Sequence, residues 1–95
     1  FSPYPAVSRD ISIVVEKEKR FRELETIIRE HAQEYLTDLQ VVDTYQGKDI
    51  SPDSFAFTLR IFYQSQERTL TAQEVDSLHM KIRQRLKSER GITLR

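Results

Sequence analysis

The run Ser54 to Tyr63 limits the fold more than any other stretch. Phe55, Phe57, Leu59, Ile61 and Tyr63 take every second position, and all are apolar. Ser54, Ala56, Thr58, Arg60 and Phe62 lie between them and are mixed. A period of two marks a strand with one face on a core and the other on something wetter. Arg9 to Glu16 repeats the pattern. There Ile11, Ile13 and Val15 line one face, and Asp10, Ser12 and Val14 line the other. Strands patterned this way need a second layer over their apolar face.

Two helical stretches can supply that layer. Phe21, Leu24, Ile27, Ile28, Ala32 and Tyr35 recur at three and four residues, which predicts an amphipathic helix over roughly 20–35 with no good N-cap. Thr71 and Glu74 form a capping box before the stripe Val75, Leu78, Ile82 and Leu86, and Gly91 stands where a left-handed C-terminal cap is expected. Asp38 to Gln46 is rich in β-formers and ends at Gly47. Residues 48–53 read as a loop, and Ile92 to Arg95 as a short last strand. The order is βαββαβ. The expected fold is therefore α+β and ferredoxin-like, a four-stranded antiparallel sheet with two helices on one face.

A chain of 95 residues is one small domain. Residues 1–8 carry two prolines and read as a linker or N-terminal extension, and 9–95 as the domain. Together with the lack of Met at position 1, this suggests a fragment of a larger multidomain chain. No segment is long and apolar enough to span a membrane, so no membrane association is expected. Cys is absent, which excludes disulfides, thiolate metal sites and cysteine nucleophiles. Gly47 and Gly91 are too far apart to build a phosphate-cradling loop. His31 and His79 have no ligand partner at metal spacing, so neither metal nor catalytic residues are expected, and His79 reads as packing. Fifteen cations balance fifteen carboxylates. The global field therefore gives no case for a polyanion partner, although six cations against Glu89 in residues 80–95 leave a local basic stretch. Glu67 next to Arg68 suggests an ion pair fixing the turn into the second helix.

Helices on one face leave the other face open, and alternation says what lines it. Val41 and Val42 are both apolar, so the register of the second strand is ambiguous. If Val42 points inward, Asp43 and Tyr45 point outward together. Pairing across the 47–53 loop then sets them beside Ser54 and Ala56. A ring, a carboxylate and a hydroxyl in one patch suit an unstacked base, the ring as platform and the polar groups as readers of its edge. A carboxylate would repel phosphate.

Four segments in this order, Ser8-Arg9-Asp10-Ile11, Asp43-Thr44-Tyr45-Gln46-Gly47, Ser54-Phe55-Ala56-Phe57 and Glu67-Arg68-Thr69-Leu70-Thr71, resemble the ferredoxin-fold anticodon-binding domain at the C-terminus of the phenylalanyl-tRNA synthetase β subunit. The resemblance covers about residues 5–95. It implies a cytoplasmic α₂β₂ parent that attaches phenylalanine to tRNA with ATP and Mg²⁺, catalysis lying outside this domain and no cofactor within it. The implied partners are the tRNA(Phe) anticodon loop, the rest of the β subunit and the α subunit. Asp43, Tyr45 and Ser54 match residues that touch the first anticodon base. Arg9 and Arg68 match positions assigned to RNA or to domain stability. Pro52-Asp53 stand where relatives commonly carry Gly and Lys, which removes one cation from the RNA side.

Three other functions share this strand order. An acylphosphatase-like enzyme needs an Asn and a Gly loop that are missing. An RNA-recognition motif needs a third-strand signature absent from Ser54 to Phe62. A ligand-sensing or protein-docking module without RNA binding would use Val14 and Phe62 on the open face.

Overall fold

The computed structural model describes residues 3–95. Strand β1 (Val7–Glu16) leads to helix α1 (Phe21–Ala32) and a single 3₁₀ turn (Gln33–Tyr35). The hairpin β2 (Leu36–Tyr45) and β3 (Ser54–Tyr63) follows, then helix α2 (Ala72–Lys87) and strand β4 (Ile92–Leu94). The sheet order is β2-β3-β1-β4 and every neighbouring pair is antiparallel. This is the ferredoxin-like architecture that the order of elements implies.

The core lies between one sheet face and both helices. Ile11, Ile13, Val15, Leu59, Ile61 and Tyr63 from the strands meet Leu24, Ile27 and Ile28 of α1 and Val75, Ile82 and Leu86 of α2, all buried. Each such side chain stabilises the fold by about 1.5–3 kcal/mol. Among the described residues, no buried side-chain nitrogen or oxygen lacks a hydrogen-bond partner.

Several boundaries differ from expectation. β1 starts at Val7 because Val7 and Ser8 pair with Tyr63 and Phe62. The Tyr4 carbonyl also accepts from the Gln64 side chain, so residues 4 to 8 lie against the domain. Phe1 and Ser2, the first part of the expected linker, fall outside the described residues. α1 stops at Ala32, where Gln33 takes φ of 56° and the chain tightens into the 3₁₀ turn. Its N-cap residue, Arg20, makes no side-chain cap, as expected, but the Glu23 carboxylate accepts the Arg20 N–H at 2.7 Å.

The Thr71–Glu74 capping box forms, but α2 ends at Lys87. Ser88 closes it by donating its hydroxyl to the Arg85 carbonyl at 2.8 Å. Gly91 lies beyond the cap, at φ of 85° in the turn into β4, and its carbonyl accepts the Glu16 N–H.

Not every apolar residue of the β2–β3 hairpin reaches the core. Phe55 is 56% exposed and Val41 is 49% exposed. Ten-residue strands run about 33 Å, whereas the twelve residues of α1 run about 18 Å. The hairpin therefore outreaches its helical cover, and the molecule measures 44 × 22 × 22 Å.

Candidate nucleic-acid interface

The ambiguity between Val41 and Val42 resolves through a β-bulge. Val41 lies opposite Leu59 and Asp43 opposite Thr58, so Val42 is the extra residue. It is not an inward core residue: it stays 37% exposed. The bulge still sends Asp43 and Tyr45 to the uncovered face, because their partners Thr58 and Ala56 lie on it. Ser54 shares that face, one step along β3 from Ala56.

No hydrogen bond joins the three to one another. Asp43 and Ser54 flank Tyr45 from opposite ends, some four positions apart along β3, or about 13 Å at the usual strand rise. The Asp43 Oδ1 accepts its neighbour's backbone N–H from Thr44 at 2.9 Å.

The Tyr45 phenol leans away from Ser54. Its oxygen lies 2.6 Å from the Thr58 hydroxyl, which lies 2.7 Å from the Ser12 hydroxyl on β1. Three neighbouring strands thus contribute one hydroxyl each to a chain that fixes the ring. The residue opposite Tyr45 is Ala56, only 2% exposed. Its small side chain leaves room for a ring over β3. The Arg95 guanidinium of the chain end after β4 lies over that ring, 4.7 Å from its centroid.

Alternation had placed Ser12 and Thr58 on this face, but gave no sign that they hold the tyrosine. Arg95 could have been found by counting from buried Ile92: Thr93 out, Leu94 in, Arg95 out.

The two arginines matched by resemblance lie elsewhere. Arg9 reaches the helix side of the sheet and pairs with Asp76 of α2 at 3.0 Å. Arg68 pairs with Glu74, not with Glu67. Together with the Thr71 N–H it holds the Glu74 carboxyl down at about 2. Glu67 instead donates its backbone N–H to the Ser65 hydroxyl.

His79 packs as expected, edge-on to Tyr63. Its Nε2 faces the Asp10 carbonyl at 3.3 Å and must carry the hydrogen, since a carbonyl only accepts. That leaves Nδ1 to accept from the Tyr63 hydroxyl at 3.1 Å. Burial pushes the His79 pKa below its ordinary value and raises that of Tyr63.

Among the described residues, no three His, Cys, Asp or Glu group to hold a metal ion, and no helix is long and apolar enough to cross a membrane. A cleft of about 580 Å³ lies at the hairpin end, lined by Tyr45 and Ser54 together with Val41, Ile50, Phe55 and Phe57.

A four-stranded antiparallel sheet with both helices on one face and a tyrosine fixed on the bare face defines the class: a two-layer ferredoxin-like α+β module. The chain belongs to the ferredoxin-fold anticodon-binding domain family, whose model matches residues 2–95. It is similar to phenylalanine–tRNA ligase beta subunits. One from Staphylococcus saprophyticus is 38% identical over 97% of this chain, and one from Pseudomonas fluorescens is 36% identical over 99%. One from Symbiobacterium thermophilum is 34% identical over 90% of the chain. The chain covers 10% to 12% of the length of these relatives.

Proposed function

We propose that the open sheet face binds the anticodon loop of tRNA(Phe), as one domain of a phenylalanine–tRNA ligase beta subunit. Tyr45 stacks on an unpaired base. Asp43 accepts from N–H donors on one edge of the nucleotide, and Ser54 meets it from the hairpin side. A carboxylate in the reading position favours bases that present donors and disfavours phosphate. The observation that carries this reading is the Tyr45 ring, fixed on the sheet face that no helix covers, together with Asp43 and Ser54 on that face. Family membership supplies the class of ligand.

Arg9 and Arg68 support the domain rather than touch RNA, because each is engaged with a carboxylate of α2. In the parent ligase, ATP and Mg²⁺ would serve amino-acid activation in the α subunit of an α₂β₂ assembly, in the cytoplasm. This domain supplies tRNA recognition and no catalytic group.

The test is Tyr45→Ala in a full-length ligase that carries this domain. KM for tRNA rises while ATP-dependent activation of phenylalanine is retained. Loss of activation with unchanged tRNA affinity would contradict the reading.

A further inference from the structure

The Tyr45 ring carries a cation on one side. Arg95 reaches it from the chain end beyond β4, and register explains how. Leu94 pairs with Ile13 on the core side, so the next residue faces the open side. The Arg95 N–H donates to the Ser12 carbonyl at 2.8 Å, which ties its backbone to β1. The side chain is then free to cross β1 toward the ring over β3. Ser12, Tyr45 and Arg95 together line a hollow of about 370 Å³.

Charge sets this contact apart. Asp10, Glu16, Asp38 and Asp43 take register positions of the open face. Arg60 is there too, but it is held by Asp10 through bonds of 2.9 and 3.1 Å. Among the described residues of this face, Arg95 alone is a cation without a carboxylate partner.

We propose that Arg95 is the second wall of the base slot: an unpaired base enters between the Tyr45 ring and the Arg95 guanidinium and is stacked on both sides. This rests on the reading of Tyr45 as a stacking platform. A guanidinium plane stacks on a base as it does on a phenol. Lifting it breaks one cation–π contact and no ion pair. Its backbone stays anchored on β1, so the side chain can settle back onto the base. There it sets a positive charge beside the nucleotide on a face whose carboxylates otherwise repel the phosphates.

The test is a double-mutant cycle on this chain, titrated with a short RNA hairpin carrying a phenylalanine anticodon loop. Chemical-shift changes read the affinity, and the amide spectrum confirms the fold of each variant. Arg95→Ala is expected to weaken binding about five- to tenfold. Arg95→Lys, which keeps the charge and loses the plane, restores only part of it. In a Tyr45→Ala background the Arg95→Ala effect largely disappears. The proposal is overturned if Arg95→Ala binds as well as or tighter than the parent chain. It is also overturned if the loss is equal in both backgrounds and fully rescued by Lys, the behaviour of a phosphate contact. If Tyr45→Ala itself costs nothing, or the unaltered chain does not bind the hairpin, the platform reading fails and the second wall fails with it.

Discussion

The Tyr45 and Thr58 hydroxyl oxygens lie 2.6 Å apart, on adjacent strands of a face that no helix covers. That contact fixes where the ring lies. Thr58→Val keeps the shape of the side chain and removes the hydroxyl. RNA binding is then expected to weaken about two- to thirteenfold, the worth of one hydrogen bond of about 0.5–1.5 kcal/mol. A titration of the variant against the anticodon hairpin, beside a thermal melt, checks this. A large fall in melting temperature with unchanged affinity of the folded fraction would mean that Thr58 serves only the fold.

Arg9→Ala and Arg68→Ala separate support from recognition. Both side chains are bound to α2, Arg9 through Asp76 and Arg68 through Glu74. Each variant is expected to melt at a lower temperature and, where folded, to bind RNA with the parent affinity. A several-fold weaker Kd without loss of stability would return that arginine to the interface.

The face as a whole repels phosphate, since its carboxylates outnumber its cations and the chain is neutral. Binding should therefore depend weakly on salt. A plot of log affinity against log salt concentration is expected to have a slope near that of one or two phosphates, about −0.7 each for a single strand. A slope corresponding to six would show a backbone-tracking surface instead.

His79 sets a pH limb. Burial holds its native pKa below the unfolded 6.5, with the Arg83 and Arg9 charges adding to the shift and the Asp10 carbonyl and Asp76 opposing it. In the window between the two values the unfolded chain binds more protons, so stability rises with pH there. The contribution is complete above about 6.5 and is lost as pH falls toward the depressed native value. Melting temperature should decline as pH falls below about 6.5, and His79→Leu should flatten that decline. An equal decline in the variant would assign the limb to other groups.

Much of this was legible in the residue order. Period two in Ser54–Tyr63 and Arg9–Glu16, helical spacing in the two stripes, and the Thr71–Glu74 box give the architecture directly. The same alternation places Ser54 on the open face, but it sends Asp43 and Tyr45 there only on the condition of an inward Val42, and it is the bulge at Val42 that turns them outward. Three things were not legible. A bulge takes up the extra Val42, and periodicity cannot show an inserted residue. Phe55 stands in solvent because helix and strand differ in length per residue, so a strand can run past its cover. The lean of Tyr45 toward Thr58 and under Arg95 depends on rotamers and on a buried Ala56, none of which has a spacing.

The central claim is that the Tyr45 ring carries a base. The most direct measurement is the Kd of this chain for the anticodon hairpin with Tyr45→Phe and Tyr45→Ala compared. The ring in Phe retains stacking and loses only the Thr58 bond, so its Kd should rise less than about tenfold. Ala removes the platform, worth about 1–3 kcal/mol, so its Kd should rise roughly 5- to 150-fold with the fold intact. Equal affinity for the parent chain and a folded Tyr45→Ala variant would contradict the account.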